Sequence, residues 1–141
     1  MKLTDVWITS VARCAPPGNK PTPAELRNCA PWLDREIELL VNLRVVVCLG
    51  RLAFDGLLAW AQRTMTSGSV ARSGFAFAHG AEFALPKGLV VLASYHPSLQ
   101  NTNTRRLTRP MFLSIFDRAR RLAEQTASSA GPQAGRTSRR S

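Results

Sequence analysis

Apolar positions along the chain switch between two periods, and the switches mark its elements. Val6-Trp7-Ile8-Thr9-Ser10-Val11 is β-rich and predicts a strand ending at Arg13-Cys14. The stretch Ala15-Pro16-Pro17-Gly18-Asn19-Lys20-Pro21 is too punctuated by Pro and Gly for a regular element and reads as a structured loop. Thr22, Pro23 and Glu25 then have the spacing of a helix-capping box, and Leu26, Cys29, Ala30, Leu33, Ile37, Leu40 and Val41 recur at helical intervals. Pro31 is expected to break or kink this helix near Cys29, because proline lacks an N–H and its ring crowds the preceding turn.

From Arg44 to Leu49 the chain is continuously apolar, as in a strand buried on both faces of a parallel sheet. Gly50 ends it, and a helix from about Leu52 to Arg63 follows, with Phe54, Leu57, Leu58 and Ala61 inward. Residues 64–87 are Gly/Ser-rich with Phe75, Phe77 and Phe83, which predicts a loop plus a short irregular hairpin. Leu89 to Ala93 is the third strand. A last amphipathic helix is predicted from Arg106 to Ala123, with Met111, Phe112, Ile115, Phe116 and Ala119 inward. Strands alternating with helices predict an α/β fold: three α/β/α layers around a mostly parallel central sheet. Residues 1–122 would form the domain, and residues 123–141, rich in Ser, Ala, Gly, Thr and Arg, a disordered basic tail.

Composition narrows the partner. Nineteen Lys and Arg against nine Asp and Glu give a net charge of +10 over 141 residues, a balance that favours polyanions such as nucleic acid. No apolar run reaches membrane-spanning length and no charged-then-apolar signal opens the chain, so a cytoplasmic protein is expected. Three cysteines, an odd number, argue against a disulfide framework.

The chemistry concentrates where the third strand ends. His96 leaves the apolar run and enters a loop of Pro, Ser, Asn and Thr, followed by Arg105, Arg106 and Arg109. One imidazole beside a polar basic loop suits a site that handles a nucleobase next to phosphates. Ligands of parallel sheets sit at the carboxyl ends of strands, which would bring Asn19 and His96 to one cleft. An Asn amide matches the edge of a pyrimidine, and a His can donate to an oxygen where negative charge develops. Plainer readings stand beside these: a structural histidine, an Asn19 that stabilises its own turn, and Cys14 and Cys29 as ordinary buried thiols. Cys48, within an apolar strand, reads as core. Trp7, Trp32, Trp60 and the phenylalanines read as packing, and Arg136, Arg139 and Arg140 as a solvated tail. No Ser-His-Asp order, phosphate-binding Gly-rich loop or paired carboxylate stands out.

Three blocks carry a family resemblance. Arg13 to Glu25 with Asn28 to Leu33, Val45 to Gly50 with Leu52-Ala53-Phe54, and His96 to Thr104 with Arg106-Leu107-Thr108 together resemble the iron–sulfur uracil-DNA glycosylases of type B (family 5). The resemblance covers roughly residues 3–122. It implies a DNA-repair enzyme that flips a deaminated base from the duplex and hydrolyses its N-glycosidic bond. Carried over, Asn19 would recognise uracil and His96 would stabilise the departing oxyanion. The loop with Ser98, Gln100, Asn101 and Thr104 would enter the minor groove, Leu107 or Gln100 filling the vacated space and Arg105, Arg106 and Arg109 holding phosphates. The family commonly has glycine where this chain has Arg105.

Cys14 and Cys29 match two of the four ligands of the family's [4Fe–4S] cluster. The resemblance places the other two, and a further active-site motif, upstream of Met1. It therefore implies a carboxyl-terminal two-thirds incomplete at its amino end, with weak or no activity and no stable cluster by itself. DNA is the expected partner of a monomer with no membrane association. Two alternatives are a non-catalytic nucleic-acid-binding remnant and a type A (family 4) glycosylase, against which the Asn101-Thr102-Asn103-Thr104 extension speaks.

Overall fold

A computed structural model of the chain describes residues 4–13, 18, 20–65 and 70–129. Helix α1, Pro23–Leu39, starts where the capping box places it: the Glu25 N–H donates to the Thr22 hydroxyl at 3.2 Å, and the Glu25 carboxylate accepts the Thr22 N–H at 2.6 Å. Both bonds satisfy donors that the first turn would otherwise leave orphaned. Pro31 does not end the helix, which corrects the expected break. Buried Cys29 and Leu33 anchor the turns on either side of it against the domain. Val41, expected inward, lies beyond the helix end and is exposed.

Strand β1 is Val45–Leu49, helix α2 Arg51–Thr64, strand β2 Glu82–Ala84 and strand β3 Val90–Ser94. Their order in the sheet is β1-β3-β2. β1 and β3 run parallel from Val45↔Val90 to Leu49↔Ser94, whereas β2 and β3 are antiparallel. Residues 64–87, where a loop and a short irregular hairpin are expected, hold a single strand among the described residues, β2, whose antiparallel pairing with β3 makes the sheet mixed. Two more helices follow, α3 at Leu99–Asn103 and α4 at Arg109–Ser129.

The two faces of the sheet are sorted by the period-2 alternation of their residues. Val46 and Cys48 of β1 and Val91 and Ala93 of β3 join α2's Phe54, Leu57, Leu58, Trp60 and Ala61. Val45 and Val47 join Leu92 with Ile115, Ala119 and Leu122 of α4. Phe54 is the centre of the first cluster, its ring 5.5 Å from Phe77 and 5.7 Å from Phe83. Burying such a side chain contributes about 1.5–3 kcal/mol, so this aromatic knot fastens the segment before β2 to α2.

Several expectations need correction. Residues 6–10 form no regular strand and are exposed. They are held by side chains instead: the Thr9 hydroxyl and the Arg13 guanidinium both meet Glu36 of α1, and Val11 packs on Gly56 of α2. β propensity describes a surface that fits a neighbouring strand, and none is hydrogen-bonded to this segment among the described residues. Trp7 and Trp32, read as packing, are exposed, whereas Trp60 is buried. α4 begins three residues later than expected and continues to Ser129, past the anticipated start of the disordered tail. Phe116, expected inward, is largely exposed and rests edge-on against Phe112 at 5.0 Å. Residues 130–141, with Arg136, Arg139 and Arg140, lie outside the described residues. No described helix is long and apolar enough to cross a membrane.

Candidate active site and nucleic-acid interface

β1 and β3 end together, and the last register pair, Leu49↔Ser94, delivers the chain to the site. The Gly50 N–H donates to the Ser94 carbonyl at 2.8 Å, and Ser94 itself is fully buried. Gly50 has φ +95°, which favours glycine. It also faces His96, since a Cβ placed there would sit 3.1 Å from the His96 Cβ. The absence of a side chain at Gly50 is therefore what lets His96 lie across the end of β1. The imidazole is exposed at this rim, available to a ligand.

The loop after His96 is built from short-range hydrogen bonds. The His96 carbonyl accepts from the Ser98 N–H at 2.8 Å and from Asn101 Nδ2 at 2.9 Å. Ser98 caps α3, its hydroxyl accepting the Asn101 N–H at 3.3 Å. The Thr102 and Thr104 hydroxyls donate to the Ser98 and Gln100 carbonyls at 3.0 and 2.7 Å. Ser98, Asn101 and the threonines thus hold the loop, and Gln100 is exposed on it. Arg105 turns the chain at φ +56° with its N–H on the Thr102 carbonyl at 3.2 Å. This is the bond pattern of a left-handed helix cap, where glycine is usual. Thr108 then starts α4, its carbonyl accepting the Phe112 N–H at 3.0 Å.

Leu107 does not project from this loop. It is 3% exposed, with its N–H bonded to the Asn101 carbonyl at 3.0 Å. That corrects the expectation that it could fill space in a duplex: its side chain is committed to closing the loop on the domain. Leu99, which periodicity did not single out, is 79% exposed on α3.

Arg105, Arg106 and Arg109 are exposed and make no ion pair among the described residues. Arg105 and Arg109 border an open hollow of about 630 Å³ together with Pro97, Thr102, Leu107, Thr108 and Phe112. Arg106 turns the other way and lies over the Tyr95 ring, its guanidinium carbon 4.7 Å from the ring centre. A planar cation against an aromatic face keeps its outward N–H groups free to meet an anion.

Sequence reasoning also missed His79. Its Nδ1 accepts the Tyr95 N–H at 3.1 Å, and its ring stacks 5.1 Å from that of Tyr95. A histidine followed by glycine just ahead of a short strand was the available signal, but nothing local tied it to Tyr95.

Asn19 and Cys14 lie outside the described residues; neighbouring Gly18 is exposed with φ +71°. Cys29 is buried in α1, where its Sγ accepts the Arg13 N–H at 3.4 Å. Cys48 belongs to the core, and burial pushes its thiol up to about 12, which makes it a neutral thiol and a poor metal ligand. Among the described residues no three His, Cys, Asp or Glu side chains are grouped to hold a metal.

Comparison with known proteins agrees with this geometry. The model of the uracil DNA glycosylase superfamily matches residues 2–120. A type-5 uracil-DNA glycosylase of Thermus thermophilus is 50% identical over 123 residues, covering 87% of this chain and 53% of that protein. One of Mycobacterium bovis is 40% identical over 124 residues, covering 87% and 44%, and one of Pyrobaculum aerophilum 43% over 114, covering 81% and 46%. The chain spans about half the length of these curated relatives. A strand-end histidine, a basic loop and a match over most of the chain converge: the protein belongs to the uracil DNA glycosylase superfamily.

Proposed function

We propose that this chain carries the base-releasing histidine and the DNA-engaging loop of a type-5, type B uracil-DNA glycosylase, an enzyme of DNA repair. The observation that carries the reading is His96, exposed at the shared end of two parallel strands and followed directly by the basic loop. In the reaction, water adds its oxygen to the anomeric carbon of the deoxyribose while the bond from that carbon to N1 of uracil breaks. The bonding pair leaves with the base, and the released proton completes free uracil and an abasic site. Negative charge gathers on the uracil carbonyl oxygen as the bond lengthens, and an imidazole N–H from His96 would meet it there. Asn19 would hold the flipped base by its amide. Arg105, Arg106 and Arg109 would grip phosphates, and Gln100 or Leu99, both exposed, would occupy the gap in the duplex.

The protein would act as a monomer in the cytoplasm. The parallel β1–β3 pair, with α2 against one face and α4 against the other, supports a three-layer α/β/α arrangement around a mostly parallel sheet in the family fold. Cys14 and Cys29 would be two of four thiolate ligands in the family, and the 141-residue chain by itself would hold no stable [4Fe–4S] cluster. Purified chain with the visible absorption of such a cluster would contradict this.

A second reading, a nucleic-acid-binding module without excision, draws on the exposed Arg105, Arg106 and Arg109 of the loop, which make no ion pair among the described residues. Changing His96→Ala separates the two. Under the first reading the weak excision of uracil expected of the chain by itself, read with the chain in excess over an oligonucleotide, is lost while salt-sensitive DNA binding stays; under the second the binding is the same and no excision is seen before or after the change.

A further inference from the structure

We infer that His79 is a positioning residue for the active-site end of β3, acting through a neutral imidazole whose Nδ1 stands in for a missing strand partner. The inference rests on the reading of His96 as the reactive group. Residues 80 and 81 continue the antiparallel ladder beyond β2: the Ala93 N–H donates to the Ala81 carbonyl at 2.9 Å, and the Gly80 N–H to the Ala93 carbonyl at 2.8 Å. The next N–H of the central strand on that side belongs to Tyr95. A continued ladder would give it a backbone carbonyl, but Gly80 turns the chain away at φ +82°. The imidazole fills the gap, its Nδ1 accepting the Tyr95 N–H at 3.1 Å.

Only a ring nitrogen with a free lone pair can accept, so the proton of His79 sits on Nε2. The ring also lies 5.1 Å from the Tyr95 ring with 34° between their planes, and Arg106 covers Tyr95 at 4.7 Å. Backbone and side chain of Tyr95 are thus both held, one residue before His96 and in contact with an arginine of the loop. On the other side of the strand end, the Gly50 N–H holds the Ser94 carbonyl at 2.8 Å. His79 supplies the second clamp, without which the peptide leading to His96 is fastened from one side.

The test is nitrogen NMR on the full chain, followed by variants. A scalar coupling across the hydrogen bond between the Tyr95 amide nitrogen and His79 Nδ1 is expected, with the Nε2-protonated tautomer. In His79→Ala, amide exchange at Tyr95 should rise roughly 5- to 10-fold, the loss of one net hydrogen bond. His79→Asn, whose Oδ1 can take the place of Nδ1, should bring it back to near the original rate. Excision of uracil should fall through kcat with KM little changed in the Ala variant, and recover in the Asn variant. No coupling in the unaltered chain, or unchanged Tyr95 exchange in His79→Ala, overturns the inference. If the Ala variant does not fold, the coupling and the Asn variant still decide. If the unaltered chain excises nothing, coupling and exchange alone judge the clamp, independently of the glycosylase reading.

Discussion

Replacing Arg105 with glycine should raise stability and weaken DNA binding at once. Arg105 occupies the left-handed region at φ +56°, capping α3, where an L side chain crowds its own backbone at a cost of about 1–2 kcal/mol. Glycine removes that strain and returns about 0.5–1 kcal/mol through the freedom it gains in the unfolded chain. The balance is a net stabilisation of about 0.5–1 kcal/mol, or roughly 2–5 °C in Tm for a domain of this size. The side chain is exposed, borders the hollow shared with Arg109, and has no ion pair among the described residues, so little native contact is lost. On DNA the variant should lose one phosphate contact, lowering the slope of log K against log salt by about 0.9. Thermal unfolding and DNA-binding titrations at several salt concentrations measure the two effects. A lower Tm would refute the strain argument, and an unchanged salt slope would refute the phosphate contact.

Three further outcomes follow from the same geometry. Gly50→Ala should cost at least about 1 kcal/mol from its positive φ and displace His96, whose Cβ would lie 3.1 Å from the new methyl group. Uracil excision should then fall far more than Tm, and a variant with full activity would show that His96 does not depend on that space. Cys48, with its thiol at about 12 against an ordinary 9.0, should resist iodoacetamide in the native protein at pH 8. It ionises more readily when unfolded, so its contribution to stability holds below 9.0 and is lost as pH rises toward 12. Mass-spectrometric labelling of native Cys48 at the rate of a free thiol would contradict its burial. Glu36 is held below its ordinary 4.5, first by the Thr9 hydroxyl and then by Arg13. Its stabilisation is therefore present above 4.5 and lost as pH falls through the lowered value. Glu36→Gln should speed hydrogen exchange at the Arg13 amide, which is bonded to Cys29 Sγ, at neutral pH, and unchanged exchange there would mean that other contacts hold the segment.

What could be read in advance was local. The Thr22–Glu25 capping box lies within four residues, so its chemistry is complete in the string, and α1 starts where expected. β1, β3 and α2 were legible because continuous apolar runs and helical spacing report burial directly. His96 and the polar loop were legible because a change in composition marks the strand end. Val6–Val11 was misread because β propensity says nothing about whether a partner strand is present. Leu107 was misread because a leucine among polar residues looks the same whether it projects or closes a loop; its bond to the Asn101 carbonyl is formed only in the folded chain. His79 was invisible for a like reason: it meets Tyr95 across 16 residues, a distance that no periodicity encodes. The left-handed turn at Arg105 also escaped composition, since arginine is not the residue expected there.

β3 is the middle strand, laced to a neighbour on either side, and the residue proposed to do the chemistry is carried two positions past its last ladder pair. A fluctuation of β3 itself large enough to carry that imidazole away must unzip part of both ladders. Breathing of the reactive end and melting of the domain therefore share most of their barrier. Loosening the one without endangering the other would be hard for either evolution or an engineer, and adaptability is left to the arginine-rich turn beyond.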